Sequence, residues 1–512
     1  MSLASFKSAP WKTHHAAYKD SAFAISPAPE YASSEVLVAA LYRVSGLESL
    51  GEGDVPRSGR DFDKRLRRGQ EKGTRPTEST VSASTWNTVV HGVLESPKLP
   101  NQSSKRFLQM TPVVPEIARY SGSARLSANS WPAGQLVRRM VWLGSESPDK
   151  ASELWQELFA ALSVTEHDDV FARWLQGEFV AWGEGAATRW HHPVSTPPDI
   201  AAFHAGTGGP SQYPARQFVR DLRSVIGAKE WMTRRQWTSL LEAVIRLAAV
   251  AHVVWLCEVQ DRLWRMVLGV LDGVSAASEA ALRERIFPDA LQYMTYGNTA
   301  LPAIRDRASR YLLARLGLNA VLWGLHEIQA DFSGGLSSSA DFYRLSESVA
   351  SNREALAARG VRQAINDVRE QEARTLLCRS GIGKNLIEFA RHVLGQRQTA
   401  SDILRGYDQG YVLRKKGEHA SAPLIVSLGP VSVIALVHCC LDGMGGARSV
   451  HRLCQHLAAY GISVDRNDIA KNDLGQKLRM LGLVLDSPDA ESGMLLLPPF
   501  THHGASKRGM PA

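Results

Sequence analysis

Cysteine is scarce in this sequence of 512 residues. The five cysteines are Cys257, Cys378, Cys439, Cys440 and Cys454. No two of them form a C-x-x-C pair, and an odd number in so long a chain argues against a disulfide framework. We therefore expect reduced thiols, most of them buried.

Long apolar runs are also missing. The most apolar stretch, residues 247–257, is bracketed by Arg246 and Glu258 and falls well short of the roughly 20 residues that span a bilayer. This stretch predicts a buried helix. The first twenty residues contain no continuous apolar segment after Lys7, so no secretory signal is predicted. We expect a cytoplasmic protein that does not associate with a membrane.

Recognisable catalytic motifs are absent as well. The stretch "SGIGKN" is similar to a phosphate loop, but Cys378 stands where a Walker motif needs glycine and Asn385 where it needs Ser or Thr. The stretch "HEIQA" at His326 has Ala330 in place of the second histidine of a zinc protease. No G-x-S-x-G elbow occurs. The motifs therefore predict no catalytic residue and no cofactor.

Two groups of side chains are candidates for metal binding or acid–base chemistry. The best metal candidate is a loop with imidazole and carboxylate groups, namely His191, His192, Asp199 and His204. A metal-dependent hydrolase built on this loop is one alternative function, although we predict no metal site, because surface histidines near prolines usually ligate nothing. Glu258 and Asp261, three residues apart on a predicted helix, are expected on a solvated face.

The positive charge is concentrated in one part of the chain. The formal net charge is +8, and residues 57–125 contain thirteen Lys or Arg and six acids, a local net of +7. The densest part, "RSGRDFDKRLRRGQEKGTRP", is rich in glycine and predicts a mobile basic arm suited to phosphates. Its candidate nucleic-acid contacts are Arg57, Arg60, Lys64, Arg65, Arg67 and Arg68. A solvated charged loop is the alternative.

Apolar residues three and four apart recur from Trp131 onward and predict a mainly α fold with an irregular multi-helix body. Four regions follow from the pattern. Residues 1–130 comprise a poorly structured start of 33 residues, one capped helix and the basic arm. Residues 131–330 form the helical body, and the Pro- and Gly-rich stretch at 189–215 is a candidate boundary within it. Residues 331–400 form a helical extension with one charged amphipathic helix near 341–376, and residues 401–512 complete the chain.

Residues 401–512 differ from the helical body in their sequence pattern. "QGYVLRKKG" and "APLIVSLG", separated by the polar turn "EHAS", predict a β-hairpin. Three helical segments follow: "PVSVIALVHCCLDGMGG", "ARSVHRLCQHLAAYGI", which Gly461 closes, and "NDLGQKLRMLGLV", which Gly482 closes. The runs "LVLDS" and "MLLLPPF" then flank a turn. In element order and helix ends, residues 429–500 resemble a winged-helix domain of the helix-turn-helix type.

This resemblance implies that the third helix is a recognition helix. Leu474, Leu478 and Leu481 share the face that would pack on the other two helices. The candidate DNA contacts on the rest of the helix are Lys471, Asn472, Gln476, Lys477 and Arg479. However, residues 461–500 carry four basic and six acidic groups, and the proposed wing tip "DSPDAESG" is acidic. Because DNA repels an acidic wing, contact with DNA and contact with a protein both stay open.

Together these features predict a non-catalytic subunit of a bacterial nucleic-acid-associated assembly. Its basic arm would bind phosphates, and its winged-helix end would contact DNA or another protein subunit. Transcription regulation and restriction or anti-phage defence are compatible settings. The alternatives are a protein-protein interaction scaffold that does not bind DNA and the metal-dependent hydrolase of the histidine loop.

Overall fold

The computed structural model of the protein is mainly α-helical, which confirms the predicted fold class. It describes residues 2–25, 34–47, 76, 80–94, 112–119, 133–182, 190–191, 214–288, 291–330, 332, 334–376, 382–397, 408–417, 419, 421–444, 446–466, 468–486 and 493–500.

The first helices of the described chain are α1 (Leu3–Ser8), α2 (Ala16–Lys19), α3 (Ser34–Gly46), α4 (Ala83–Leu94), α5 (Ala133–Gly144), α6 (Pro148–Leu162), α7 (Val170–Trp182), α8 (Pro214–Gly227), α9 (Arg234–Leu271) and α10 (Glu279–Ile286). They are followed by α11 (Leu301–Glu327), α12 (Ser339–Ser351), α13 (Arg353–Ala358), α14 (Val361–Gln371), α15 (Ala373–Leu376), α16 (Ile382–Leu394), α17 (Pro430–Leu441), α18 (His451–Ala459) and α19 (Asp473–Met480). Two 3₁₀ helices cover Pro115–Arg119 and Ala228–Trp231.

The strands are short. They are β1 (Met294–Thr295), β2 (Leu413–Lys415), β3 (Leu424–Val426), β4 (Arg448–Ser449), β5 (Ile462–Ser463), β6 (Val484–Asp486) and β7 (Met494–Leu496). β2 and β3 are antiparallel, with Leu413 opposite Val426, which confirms the predicted hairpin. β1 pairs in parallel with β5, and this pairing was not predicted.

Helix α9 lies at the centre of the fold, as its apolar sequence predicts. It is 38 residues long and begins at a capping box in which Thr233 and Gln236 satisfy each other's backbone N–H groups. Residues 247–257 are buried throughout. Among the described helices, α9 alone is long and apolar enough to cross a membrane, and its apolar window is entirely covered by the rest of the protein. Such cover is typical of the core helix of a globular fold.

The start of the chain is more structured than predicted. Residues 1–33 were expected to be poorly structured, but residues 2–25 pack on the helical body, with Phe6 and Phe23 fully buried. The indole Nε1 of Trp11 donates to Glu372 at 2.5 Å. These aromatic anchors are isolated in sequence, so no helical or strand period reveals them.

The helical extension is also different from the prediction. One helix was expected near 341–376, and the described chain instead forms the four shorter helices α12 to α15. Gly360 has a φ of 67°, a left-handed conformation that ends one helix and turns the chain into the next. The breaks let α12 pack on α9 while α13, α14 and α15 pack on α11.

One hydrophobic core joins all four predicted regions, since it extends from Leu3 to Leu496. A second, smaller core lies between α4, the first 3₁₀ helix and α7. Its centre is the buried carboxylate of Glu178, which accepts hydrogen bonds of 3.0 Å from the indoles of Trp86 and Trp182. Aromatic side chains therefore supply both the packing and the polar partners of this core.

The described cysteines agree with the expectation of buried thiols. Cys257, Cys439, Cys440 and Cys454 are buried thiols, while Cys378 lies outside the described residues. Burial raises the pKa of Cys440 to about 12 and that of Cys454 to about 11. These two groups are therefore neutral thiols near pH 7.

The expected solvated face of α9 is absent at Glu258 and Asp261. Both residues are buried, under arginine side chains of α9 and α11. The prediction was wrong because a helical period locates the face of a residue but does not show which neighbouring helix covers that face.

Candidate interaction site in the C-terminal unit

Residues 429–500, named here the C-terminal unit, contain the helices α17, α18 and α19 and the strands β4 to β7. β4, β7 and β6 form an antiparallel three-stranded sheet in which β7 is central. The helices and the β6–β7 hairpin occur in the predicted order. Strand β4, between the first two helices, is an addition that the two-residue run Arg448–Ser449 is too short to reveal by alternation.

Two glycines end the second and third helices of this unit. Gly461 has a φ of 81° and Gly482 a φ of 67°, and the sequence predicts this left-handed conformation at Gly482. At Gly461 a Cβ atom would also lie 2.4 Å from the ring of Tyr293. This close approach brings the end of α18 against the segment that leads into β1.

A buried carboxylate attaches the C-terminal unit to the helical body. Asp221 of α8 is fully buried. Its Oδ2 accepts a hydrogen bond from Tyr460 Oη at 2.7 Å and its Oδ1 accepts from Gln217 Nε2 at 2.7 Å, while His456 Nε2 lies 2.9 Å from Oδ2. Because an unpaired buried carboxylate is costly, this network fixes α18 on α8.

The inner face of α19 is apolar, as predicted. Leu474 and Leu478 are fully buried, and Leu481 is half-buried. A Cβ atom at Gly475 would lie 2.1 Å from the carbonyl oxygen of Ile469, so glycine permits the close approach of the preceding turn. These contacts determine which side of α19 faces solvent.

Lys477 is turned toward the protein. Its Nζ donates to Asp473 at 2.7 Å, to Ser427 Oγ at 2.8 Å and to the Leu428 carbonyl at 2.7 Å. Burial opposes ionisation of Asp473, but hydrogen bonds from Lys477 and Ser427 outweigh it and lower the pKa of this carboxyl. The three acceptors use the three N–H donors of the ammonium group, which links α19 to the β3–α17 connection.

Asn472 and Arg479 also have partners within the unit. The Asn472 side chain caps α19 by accepting from the backbone N–H groups of Leu474 and Gly475. Arg479 forms a forked pair with Asp486 of β6, with distances of 3.0 to 3.2 Å, and donates to the Ala470 carbonyl. Of the five predicted contacts in this helix, Lys471 and Gln476 are exposed without such a pairing in the described structure.

An exposed apolar pair was missed by the sequence reasoning. Met480, the last residue of α19, is 85% exposed, and Leu485 in β6 is 53% exposed. Their sequence neighbours Arg479 and Asp486 pair with each other, which joins the end of α19 to β6. A helical wheel places Met480 about 200° from Leu478, and this signal was available in the sequence.

The other predicted sites lie largely outside the described residues. This applies to the whole basic arm, with Arg57, Arg60, Lys64, Arg65, Arg67 and Arg68, and to His192, Asp199 and His204. His191 is exposed, and its backbone N–H donates to Gly46. Within the described part of the chain, His, Cys, Asp and Glu form no group of three that could hold a metal ion.

A surface cleft of about 400 Å³ lies between the end of α6 and the 3₁₀ helix Ala228–Trp231. Asp168 in its wall pairs with Lys229 at 3.3 Å and with Arg234 at 3.4 Å. Lys229 also donates to the Ser163 carbonyl. These contacts connect α6 to the start of α9, so we assign the charges a structural role.

The protein thus belongs to the mainly α class and ends in a unit of mixed helices and strands. In comparisons with known proteins, no family model and no curated protein matches the chain.

Proposed function

We propose that this protein is a non-catalytic adaptor subunit of a nucleic-acid-associated assembly. In this proposal the C-terminal unit is a winged-helix-type module, and its third helix and first wing strand contact a partner protein. The element order supports the comparison with winged helices: three helices, a strand between the first two, and a closing hairpin.

The observation that carries the proposal is the exposed pair Met480 and Leu485. Both side chains belong to elements that the Arg479–Asp486 pair joins, and exposed apolar groups with a polar surround are typical of protein contacts. Met480 is an unbranched side chain that adapts to varied partners. The neutralised pair Arg479–Asp486 flanks it, so the centre of this surface carries no net charge.

The charges favour a protein partner over DNA. The described residues between 461 and 486 hold four basic groups, Arg466, Lys471, Lys477 and Arg479, and four acidic ones, Asp465, Asp468, Asp473 and Asp486. Lys477 and Arg479 are already paired. Because phosphate neutralisation supplies much of the affinity of any protein for DNA, a surface with balanced charge gives DNA little attraction.

The nucleic-acid part of the proposal depends on the basic arm between residues 57 and 75, whose positive charge is apparent from the sequence alone. A cytoplasmic location and a role in regulation or in anti-phage defence of bacteria complete the proposal. The contacts that we propose for the C-terminal unit are the same in regulation and in anti-phage defence.

The test is affinity purification of the tagged full-length protein from the cells in which it is native. We expect a specific protein to accompany the wild-type chain and to be lost with Met480→Lys. The matched control is Val274→Lys, which introduces the same charge at an exposed valine in the turn after α9. Retention of the same proteins by both variants would show that Met480 is not at a contact.

A second candidate function is direct DNA contact by the same helix, because Lys471 and Gln476 are exposed. This alternative predicts that Lys471→Gln with Gln476→Ala weakens binding to duplex DNA in fluorescence anisotropy. It also predicts that Met480→Lys, which adds a positive charge, strengthens DNA binding. The adaptor proposal predicts that the first variant has no effect on DNA binding.

A further inference from the structure

Four arginines surround two buried carboxylates where α9 packs on α11. The carboxylates are Glu258 and Asp261, whose side chains are 10% and 8% exposed. The arginine cluster, as we name it, consists of Arg262, Arg265, Arg307 and Arg310.

Glu258 holds the part of the cluster nearer to α10. Its Oε1 accepts from Arg262 Nε at 3.0 Å, and its Oε2 lies 3.9 Å from Arg307 Nε. Arg262 also donates to the Arg285 carbonyl in α10. Arg307 donates to the Gln292 carbonyl at 3.0 Å. The carboxylate and the two carbonyls therefore fix both guanidinium groups.

Asp261 holds the other two arginines. Its Oδ2 accepts from Arg310 Nη1 at 3.0 Å and also from Arg265 Nη2. Arg310 Nη2 donates to Asp306 at 2.6 Å. Unlike Asp261, Asp306 is exposed, with 61% of its side chain accessible.

The cluster is layered: its two central carboxylates lie inside, and three of its arginines reach solvent beside the exposed acid Asp306. The two central carboxylates are buried, whereas the side chains of Arg262, Arg265 and Arg310 are 32%, 58% and 34% exposed. Water screens the outer charges but cannot surround the inner ones. Four cations face three anions in all, so the layer that a ligand meets is positive.

Arginine donors are left for a ligand. Each guanidinium carries five N–H donors, and the hydrogen bonds of the described structure use one or two of them in each of the four side chains. The unused Nε groups of Arg307 and Arg310 are buried, so the donors left for a ligand are those of the terminal nitrogens and of the exposed Arg265. A rigid fork of N–H donors matches two oxygens of a phosphate. A purely structural role for these arginines needs only their ion pairs with the carboxylates. It does not need the N–H groups that face solvent.

The position of the cluster favours a long ligand. Gln292, which Arg307 contacts, is two residues before β1, and β1 pairs with β5 of the C-terminal unit. The exposed Arg466 is three residues beyond β5. Cations therefore occur on both sides of the β1–β5 junction, which favours a ligand longer than a single small anion.

We propose that the arginine cluster binds the phosphate backbone of duplex DNA. This inference rests on the proposed association with nucleic acid and gives that association a site within the helical body, separate from the basic arm. The contact is independent of base sequence, because backbone phosphates carry no direct sequence information.

The test is fluorescence anisotropy of a labelled duplex of about 30 base pairs with the full-length protein across a salt series. In Arg262→Gln with Arg265→Gln, Asp261 keeps Arg310 and Glu258 keeps Arg307 and Arg310, so no buried carboxylate loses all its partners. We expect the slope of log affinity against log salt to fall by about 0.9 for each lost phosphate contact.

Two further variants make the result specific. Arg305→Gln with Arg359→Gln removes the same charge from exposed positions outside the cluster, and Arg305 lies about 140° around α11 from Arg310. We expect this control to keep the wild-type slope. Asp306→Asn removes the exposed negative charge while its amide oxygen can still accept from Arg310, so we expect tighter binding, a result that misfolding cannot imitate.

An unchanged slope in the cluster variant, with wild-type DNA binding otherwise intact, would overturn the cluster proposal and leave the adaptor proposal standing. Equal losses in the cluster and control variants would also overturn it, because they would reveal only bulk charge. If the wild-type chain binds no duplex at low salt, both this inference and the nucleic-acid part of the proposed function fail. The Met480 experiment still tests the protein contact by itself.

Discussion

Helices α9 and α19 place their charged side chains in opposite ways. In α9, Arg246 is fully buried and donates to Asp408 at 2.6 Å and to the carbonyls of Val393 and Gly395. In α19, Arg479 is exposed and pairs with Asp486 on the surface. An arginine in a helix is therefore a core anchor or a surface group according to what packs above it.

The Arg246–Asp408 and Arg479–Asp486 pairs also contribute differently to stability, because the first is buried and the second is exposed. Burial alone would raise the pKa of Asp408, but Arg246 and Arg397 outweigh it and hold this pKa well below its usual range. A surface pair is screened by water and contributes little. Substitutions at buried positions should therefore lower the free energy of unfolding more than substitutions at exposed positions.

The largest effect is expected at the buried pair of α9. Replacement Arg246→Met leaves Asp408 with Arg397 as its remaining cation, and we expect the free energy of unfolding to fall by about 3–5 kcal/mol. Urea denaturation followed by circular dichroism measures this loss. The control Arg235→Met changes an exposed arginine of the same helix, and a comparable loss there would contradict the assigned anchor role.

A smaller loss is expected from the inner face of α19. Replacement Leu478→Ala removes a fully buried side chain and should lower the free energy of unfolding by about 2–4 kcal/mol. The same denaturation experiment measures it. A change below about 0.5 kcal/mol would mean that α19 is not packed as described.

The start of the chain provides a pH-dependent test. Burial, reinforced by Arg315, lowers the pKa of His14 to about 4, so the folded protein keeps this histidine neutral. On acidification the unfolded chain takes up the proton first, and stability falls from about pH 6.5 toward pH 4. Buried His252, with its pKa lowered to about 3, acts in the same direction.

We expect His14→Gln to reduce the loss of stability between pH 7 and pH 5 by about 1–2 kcal/mol, because glutamine does not titrate but still accepts from Arg315. Denaturation at the two pH values measures the difference. His167→Gln, at an exposed histidine, serves as the control. An identical pH dependence in wild type and His14→Gln would show that this segment is not docked.

The smallest effect on stability is expected at Met480. Replacement Met480→Ser changes a side chain that is 85% exposed, so the free energy of unfolding should stay within about 0.5 kcal/mol of wild type. Thermal denaturation of the isolated protein provides the check. A large loss would assign Met480 to the fold and would remove the main support for a partner contact there.

Much of the fold was predictable because its signals are local. Apolar spacing located the long helices, and the two glycines at 461 and 482 marked helix ends. The hairpin β2–β3 followed from short β-branched runs and a polar turn. Apolar residues in the first 25 residues gave no periodic signal, so their packing was missed.

The candidate site was less predictable. The exposed face of α19 followed from the helical period, but the sequence did not reveal that Lys477 turns inward, because its acceptors include Ser427 and Leu428, 50 and 49 residues away. Nor did the sequence reveal that Arg479 pairs with Asp486 across a turn. The helical period therefore indicates which residues have chemistry suited to DNA, but it does not show which of them have partners within the protein.

The amino-acid sequence by itself determined the helices, their ends, the burial of residues 247–257 and the place of the positive charge. These properties depend on neighbours within a few turns of the chain. The tertiary structure alone decided which charged groups become anchors, since Arg246 and Asp408 are 162 residues apart and meet only when α9 is covered. It also decided that β1 joins β5, because parallel pairing of two-residue strands depends on the packing that brings them together.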